Sequence, residues 1–209
     1  AMPVSAQVIN EFYADPAFGL IGDANGDGVR DAFDDEFVEI VNNTVADLDL
    51  GGWTLSDALG VRHTFPEGTI VAADCAIVVF GGGSPTGSFG NAVVQTAGQL
   101  RLNNVGDTIT LANDDSVIVA QVVYGTEGGT DQSFTRDPDI TGSFIRHPIA
   151  KGSNGRRFSP GTRLDGTRFV GCPRDGDCNG DGLLDLFDIG RPRLLNSARQ
   201  KRDGDVGGF

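Results

Sequence analysis

Long hydrophobic runs are missing from this 209-residue sequence. The longest apolar stretches, residues 76–80 and 117–123, fall far short of the roughly 18 residues that a membrane-spanning helix needs. Lysine is also scarce, and 29 acidic residues outnumber 16 basic ones, which gives a formal net charge of −13. A chain with this net negative charge repels polyphosphates such as nucleic acids. We therefore expect no membrane span and no nucleic-acid partner.

Glutamate is scarce as well, since only five of the acidic residues are Glu and 24 are Asp. Asp is a poor residue for helix interiors, and it favours turns and the ligation of hard cations. Glycine is abundant, with 31 residues, about twice its usual share, and this also favours turns over long helices. Hydrophobic residues make up 39% of the chain, which is enough to build a core.

Apolar and polar residues alternate with period two along much of the chain, and no part of residues 1–170 keeps the apolar stripe of an amphipathic helix. Nine short segments are predicted to be strands, namely 8–13, 37–42, 53–56, 76–80, 100–102, 108–112, 117–124, 133–136 and 144–147. Residues 113–115, Asn-Asp-Asp, are predicted to form a hairpin turn. Seven or more short strands separated by turns are typical of an all-β sandwich.

The chain is predicted to have three parts. Residues 1–6 resemble the end of a secretory leader or a tag remnant. Residues 7–170 form the β-sandwich, with an inserted loop at residues 23–34. Residues 171–209 form a short extension that begins rich in Asp and Gly and ends in a basic tail.

One pattern occurs twice and carries the strongest chemical signal. Residues 23–34 and 177–188 both fit D-x-N-x-D-G-x-x-D-x-x-D at every specified position. Ca²⁺ takes six to eight oxygen ligands, and a twelve-residue loop supplies them from positions 1, 3, 5, 7, 9 and 12 while glycine at position 6 makes the sharp turn. The alternative is a pair of acidic turns that are merely solvated. Because the carboxylates of one short loop would repel without a cation, we expect Ca²⁺ in both loops.

The expected ligands follow from these positions, with a main-chain carbonyl at position 7 and side-chain oxygens elsewhere. In the first loop they are Asp23, Asn25, Asp27, Val29, Asp31 and Asp34. In the second loop they are Asp177, Asn179, Asp181, Leu183, Asp185 and Asp188.

The first loop lies between two strand-like segments instead of two helices, so it is expected to be an EF-type loop without EF-hand helices. Asp34 occupies position 12, where calcium sensors carry a bidentate Glu. We therefore expect a weak structural site with a dissociation constant on the order of 10⁻⁴ to 10⁻³ M. The ion would hold the loop between the two strands against the sheet.

Three cysteines are too few for a disulfide scaffold. Cys172 and Cys178 are close enough in sequence to pair in an oxidising compartment, which would leave Cys75 as a buried structural thiol in an apolar run. We expect the chain to be secreted or displayed on a cell surface.

Several segments occur in a fixed order around the first loop: VINEFYADP at 8–16, DEFVEIVNN at 35–43, LDLGGWTLSD at 48–57, FPEGT at 65–69, DQSFTRDPD at 131–139 and GSFIRHP at 142–148. This series resembles the bacterial lamin tail domain family over about residues 7–165. The resemblance implies an immunoglobulin-like β-sandwich that is secreted and usually non-catalytic. It also implies an Asp-rich insertion at residues 23–34 and an extracellular protein or polysaccharide ligand of unknown identity.

Residues 175–190, with the ending Asp-Leu-Phe-Asp-Ile, look like the first half of a dockerin-type calcium repeat. That resemblance implies an assembly or anchoring role. After Ile189 the sequence departs from the pattern, because residues 190–193 lack the expected apolar helix and residues 203–208 never become a second loop.

The alternative function is a metal-dependent hydrolase, an esterase or phosphodiesterase. Its base would be His63 or His147, the only histidines, although both are expected to be satisfied residues at strand ends. Glu11 and Glu39 on neighbouring strands could face each other as an acid and a base, but hydrogen bonding to backbone amides, or support of the calcium loop, is the favoured interpretation. Ser84 lies in a glycine-rich loop and is not expected to be a nucleophile.

Three aromatic residues, Tyr13, Trp53 and Tyr124, could form a platform for sugar stacking. Trp53 follows two glycines and precedes an alternating run, which fits a place in the sandwich core better.

Overall fold

The computed structural model describes residues 7–174. The strands within this range are β1 Gln7–Tyr13, β2 Phe37–Asn42, β3 Leu48–Asp49, β4 Thr54–Ser56, β5 Val61–Thr64, β6 Ile70–Val71, β7 Ala76–Phe80, β8 Val93–Thr96, β9 Asp107–Ala112, β10 Ile118–Tyr124, β11 Phe134–Asp137 and β12 Ser143–Arg146. Short 3₁₀ turns lie at Leu20–Gly22, Phe89–Asn91, Thr126–Gly128 and His147–Ile149. Residues 7–174 contain no α-helix, which confirms the predicted all-β class.

Two large sheets form the sandwich. The first has six strands in the order β12-β11-β1-β2-β7-β8, and the second has four in the order β10-β9-β4-β5. Neighbouring strands are antiparallel except for the parallel pair β7 and β8. Strands β3 and β6 form a separate two-stranded ribbon. Residues 113–117 close the β9–β10 hairpin, as the Asn-Asp-Asp turn predicted.

The core lies between the two sheets. Strands β1, β2 and β7 are buried along their whole length. One face of the six-stranded sheet packs against the other sheet through a shared cluster that includes Ile9, Phe12, Val38, Ile40, Ile77, Val79, Leu55, Ile109 and Leu111. The other face carries Tyr13, Phe37 and Phe80, against which Phe89 and Phe158 pack. Loop residues thus cover the outer face of the six-stranded sheet.

A bulge in β1 decides which residues share a face. The register of β1 against β2 shifts between Ile9 and Glu11, so Asn10 has no partner residue across the pair. Because an extra residue reverses the alternation, Ile9 and Phe12 both enter the inter-sheet core. Glu11 then points to the outer face together with Tyr13.

Most predicted strands agree with the structure, and residues 100–102 are the exception. Leu100 and Leu102 are buried, as their apolar character suggested, but they belong to a loop. Arg101 between them has a φ of +57°, a left-handed conformation that a strand cannot hold. The short or amphipathic strands β3, β5, β6 and β8 were not predicted.

The predicted cysteine pairing is wrong. Cys75 and Cys172, which are 97 positions apart, form a disulfide, so Cys75 is not a free thiol. Both residues are almost fully buried. Cys178 lies outside the described residues. Residues 147–172 follow β12 and are called the wrapping segment below. The disulfide fastens the end of this segment to the residue that precedes β7.

The alternative that three aromatic residues form a platform for sugar stacking is also wrong. Trp53, Tyr13 and Tyr124 are at most 9% exposed, and all three belong to the buried clusters. Trp53 occupies the sandwich core, as expected.

The chain divides into a unit of residues 1–172 and a unit of residues 173–209. The predicted boundaries at residues 7, 170 and 171 remain predictions. In the described range, no helix is long and apolar enough to cross a membrane.

Candidate functional site

The loop at residues 23–34, which the sequence predicts to bind calcium, is an excursion between strands β1 and β2 without flanking α-helices. Gly28, at position 6 of the motif, has a φ of +89°, and Gly26 has a φ of +70°, so both adopt the positive φ that glycine allows. The Asp23 carboxylate organises this turn, because its two oxygens accept hydrogen bonds from the amides of Gly26 at 2.8 Å and Gly28 at 2.9 Å. The start of the loop therefore folds around the side chain at motif position 1.

The middle of the loop docks on residues 82–86, which follow β7. The Asn25 carbonyl accepts a hydrogen bond from the Thr86 amide at 2.8 Å, and an Asp27 oxygen accepts one from the Ser84 amide at 3.1 Å. Asn25 is fully buried. A Cβ added to Gly83 would lie 2.4 Å from Asn25 Nδ2 and 2.6 Å from Asp27 Oδ2. The absence of a side chain at Gly83 thus leaves the space that Asn25 and Asp27 occupy.

The end of the loop is held by a carboxylate that the motif does not include. Asp35 is fully buried, and it accepts hydrogen bonds from the amides of Ala24 at 2.8 Å, Asn25 at 3.1 Å and Asp31 at 2.8 Å. Asp31 in turn accepts from the amides of Phe33 and Asp34. Asp35 therefore joins the two ends of the loop, and sequence reasoning missed it because it stands one position beyond the motif.

The negative charges of the loop carboxylates affect one another. Burial, followed by the charges of Asp31 and Asp27, raises the pKa of Asp34, while the amides of Phe33 and Asp34 lower the pKa of Asp31. The guanidinium of Arg30 donates to the carbonyls of Ala17 and Pro16. Within residues 7–174, no carboxylate of this loop takes part in a salt bridge.

The donor chemistry of the first loop fits a hard cation, since carboxylate, amide and carbonyl oxygens are the ligands of Ca²⁺. Asp23, Asn25, Asp27, Asp31 and Asp34 all belong to one continuous loop, and Val29 is exposed within it. In the described part of the chain, however, no three His, Cys, Asp or Glu side chains are grouped closely enough to hold a metal ion. The six expected residues of the second loop, Asp177 to Asp188, lie outside the described residues.

Glu11 and Glu39 face each other across β1 and β2. Each carboxylate accepts a hydrogen bond from a backbone amide of the wrapping segment. The Ser159 amide donates to Glu11 at 2.9 Å, and the Gly161 amide donates to Glu39 at 2.7 Å. This confirms the interpretation that both residues hydrogen-bond backbone amides. Both anchor residues 159–161 on the outer face of the six-stranded sheet.

A buried hydrogen-bond chain surrounds Glu11. Its carboxylate accepts from the hydroxyls of Ser133 and Ser159, each at 2.6 Å, and His147 Nε2 lies 2.8 Å from Ser159 Oγ. His147 Nδ1 lies 2.8 Å from the carbonyl of Arg156, and because a carbonyl oxygen only accepts, Nδ1 donates in this hydrogen bond. Burial raises the pKa of Glu11, and burial together with the neighbouring Glu11 raises the pKa of Glu39.

The residues invoked for hydrolysis do not form an accessible catalytic group. His147, Glu11 and Glu39 have no exposed surface, and Ser159 is 5% exposed. His63 lies half-buried on β5, where its Nε2 is 2.7 Å from Gln95 Oε1. Burial lowers the pKa of His63. The side chains of both histidines therefore have hydrogen-bond partners. His147 directly follows β12, and His63 lies on β5.

A second site that sequence reasoning did not find is a cavity of about 720 Å³ between the end of the loop at residues 23–34, the β4–β5 turn and the segment before β9. Glu36, Asp57 and Asp107 line it, and each is at most 9% exposed. Burial raises the pKa of Glu36 to about 8. No signal in the sequence joins these residues, because they come from three separate segments.

The family model described as Lamin Tail Domain matches residues 3–126. This match covers the strands from β1 to β10 and includes the loop at residues 23–34. A search of curated proteins finds no match.

Proposed function

Because the chain belongs to the lamin tail domain family, we propose that it is an extracellular binding module whose first loop holds a structural Ca²⁺ ion. The family and the immunoglobulin-like sandwich support a binding or structural role. The more specific parts of the proposal are calcium binding, secretion, and adhesion to an extracellular protein or polysaccharide.

One observation carries the calcium proposal. The loop at residues 23–34 concentrates carboxylates that have no salt bridge within residues 7–174, and the same loop docks on residues 82–86. The residues that would hold the ion are Asp23, Asn25, Asp27, Val29, Asp31 and Asp34. A bound Ca²⁺ would supply the positive charge that offsets their repulsion. The protein's own part is to fix the loop, through Asp35 at its ends and the glycines after β7 at its middle.

The disulfide supports a location outside the cytosol. Cys75 and Cys172 close a loop that spans most of the sandwich, and such structural disulfides persist in oxidising compartments. Free calcium at about millimolar concentration is also found there, which suits a site of about 10⁻⁴ to 10⁻³ M affinity. We therefore propose that the mature chain acts in the secreted or cell-surface environment.

The second loop, at residues 177–188, is proposed as a further calcium site on its sequence alone. Its dockerin-like pattern supports an anchoring or assembly role, which pull-down of a calcium-dependent partner would test.

The calcium proposal is tested by thermal unfolding with calcium and with chelator. A ligand that binds only the folded state stabilises it by RT ln(1 + [Ca]/Kd), or about 2.7 kcal/mol at a hundredfold excess over Kd. We expect calcium to raise the melting temperature by several degrees and the Asp23→Ala, Asp27→Ala double variant to lose most of that rise. The matched control is Asp114→Ala, Asp115→Ala, which removes the same charge from the exposed β9–β10 turn. An equal rise in both variants would exclude the first loop.

A further inference from the structure

A closed apolar turn lies between β1 and the loop at residues 23–34. Residues 16–22, Pro-Ala-Phe-Gly-Leu-Ile-Gly, contain no charged or hydrogen-bonding side chain. Ala17 and Gly22 are buried at the base of the turn, and a Cβ added to Gly22 would lie 2.0 Å from the Ala17 carbonyl oxygen. The two ends of the turn therefore meet, and the residues between them project as a convex tip.

Three large apolar side chains, called the apolar tip here, stand on this turn. Phe18, Leu20 and Ile21 are 89%, 69% and 60% exposed. A single exposed apolar side chain is ordinary on a protein surface, but three within four residues form a patch. Such a patch marks a surface that another molecule covers.

Hydrogen bonds fix the apolar tip to the body of the sandwich. The hydroxyl of Tyr13, which is fully buried, accepts a hydrogen bond from the Ala17 amide at 2.7 Å. The guanidinium of Arg30 donates to the carbonyl of Ala17 at 3.0 Å and to the carbonyl of Pro16. The turn is thus held in one conformation that keeps its three apolar side chains in solvent.

The main chain of the turn is largely paired within the protein. Besides the contacts just described, the Gly22 amide donates to the Gly19 carbonyl at 2.9 Å, and the Asp23 amide donates to the Leu20 carbonyl at 3.3 Å. A peptide group that enters lipid must be hydrogen-bonded by the protein itself, whereas a protein partner is recognised through hydrogen bonds at the interface. The paired main chain and the lack of polar side chains therefore favour a lipid surface over a protein.

Positive charge lies at the base of the apolar tip. Arg30 takes part in no salt bridge within residues 7–174, so its charge beside Pro16 and Ala17 can meet a phosphate group. Asp23, the first expected calcium ligand, directly follows the turn, so a bound Ca²⁺ would add positive charge at the same place. The rest of this acidic chain repels anionic headgroups, which would confine the contact to this end.

We propose that the apolar tip inserts into the surface of a lipid bilayer whose anionic phosphate groups contact Arg30 and the calcium ion of the loop at residues 23–34. The apolar side chains enter the boundary between headgroups and acyl chains, about 5–10 Å deep, so the chain lies on the membrane without crossing it. The insertion goes beyond the proposed function, whereas the calcium contact rests on the proposed calcium site.

The test measures how much of the full chain sediments with vesicles of phosphatidylcholine and phosphatidylglycerol in millimolar calcium. Phe18→Ser, Leu20→Ser, Ile21→Ser removes the apolar tip, and because these side chains are exposed the core is left intact. We expect this triple variant to bind the vesicles at least about a hundredfold more weakly, since each side chain loses its transfer out of water. With vesicles of phosphatidylcholine alone, we expect the wild type to bind about tenfold more weakly.

The matched control removes three exposed apolar side chains elsewhere. Val45, Ile149 and Val170 are 100%, 70% and 72% exposed, and we expect Val45→Ser, Ile149→Ser, Val170→Ser to bind as the wild type does. Phe18→Trp reports insertion directly. The only native tryptophan, Trp53, is buried in the core, so a blue shift of the emission on adding vesicles would come from position 18.

Wild-type vesicle binding in the triple tip variant, or an unchanged emission of Phe18→Trp, would overturn the proposal. A wild-type chain that does not sediment with vesicles but forms a dimer that the tip variant loses would also overturn it, because the tip would then serve a second copy. Equal binding to both kinds of vesicle would contradict the phosphate contact. Thermal unfolding on the same samples separates the two proposals: failure of the calcium site removes the calcium-induced rise in melting temperature, whereas failure of insertion leaves that rise intact.

Discussion

Glu11 and Glu39 stand directly opposite each other on β1 and β2, and neither carboxylate has any exposed surface. The bulge at Asn10 turns Glu11 to the outer face of the sheet, where it meets Glu39 of β2, and both carboxylates accept amide hydrogen bonds from the segment that wraps this face. The side chain of Asn10 adds a hydrogen bond of 2.8 Å to Glu39. The sandwich thus fastens residues 159–161 with two adjacent acids.

This pair predicts how stability depends on pH. Burial and the neighbouring Glu11 raise the folded-state pKa of Glu39 above its ordinary value of 4.5, so the folded protein keeps a proton that the unfolded chain has lost. Stability from this group is therefore fully present below pH 4.5 and declines as pH rises toward the folded-state pKa. Glu11 shifts in the same direction. Other groups that face Glu39 are Asn10 and Asp139.

The measurement is urea unfolding from pH 4.5 to 8 for the wild type and for Glu39→Gln. We expect the free energy of unfolding to fall less steeply with pH in Glu39→Gln, because that side chain cannot ionise. Glu67→Gln, at an exposed position, serves as the control and should follow the wild type. Parallel curves for all three proteins would show that Glu39 is ionised in the folded state.

The disulfide between Cys75 and Cys172 predicts a large loss of stability on its removal. In the chain-entropy model, closing a loop of about 100 residues stabilises a fold by about 4.7 kcal/mol, and this loop spans 97 positions. We expect Cys75→Ala, Cys172→Ala to lose about 3–5 kcal/mol of unfolding free energy. Cys178→Ser should retain wild-type stability. Peptide mapping without reductant checks the connectivity directly, and a Cys172–Cys178 peptide would contradict the structure.

The close approach of Gly83 to the loop at residues 23–34 predicts that two similar glycine substitutions have unequal effects. Gly83 and Gly68 have φ of +70° and +75°, so alanine is strained at both positions. A Cβ at Gly68 would meet nothing within 4 Å, whereas at Gly83 it would lie 2.4 Å from Asn25 Nδ2. We expect Gly68→Ala to cost about 1–2 kcal/mol, and Gly83→Ala to cost more and also to weaken calcium binding.

Urea unfolding in chelator gives the two stabilities, and calorimetric titration gives the two calcium affinities. A Gly83→Ala variant with the same calcium affinity as Gly68→Ala would show that residues 82–86 do not support the loop.

Local pattern is enough to predict much of this fold. Strands such as β2 and β7 are rich in β-branched and aromatic residues, and turns of Asn, Asp and Gly lie between the strands, so their positions follow from the sequence. Residues 100–102 fail because an alternating apolar triplet is also compatible with a loop whose middle residue is left-handed. No sequence pattern marks the bulge at Asn10, although the bulge decides that Glu11 faces outward.

Features that depend on distant segments could not be predicted. Sequence spacing favoured Cys178 as the partner of Cys172, but Cys75 is the residue that the fold brings near. The motif placed Asp23 to Asp34 in one loop correctly, whereas the role of Asp35 depends on three amides that converge only after folding. The cavity acids Glu36, Asp57 and Asp107 likewise meet only through the packing of the two sheets.

The most direct test of the account is the number of calcium ions bound per chain, measured by equilibrium dialysis against millimolar calcium. If both loops bind, the wild-type chain holds two ions, and Asp23→Ala, Asp27→Ala holds one fewer than the wild type. The Asp114→Ala, Asp115→Ala control holds as many ions as the wild type. A wild-type chain with no bound ion, or an unchanged number in the Asp23→Ala, Asp27→Ala variant, would contradict the claim that residues 23–34 form a calcium site.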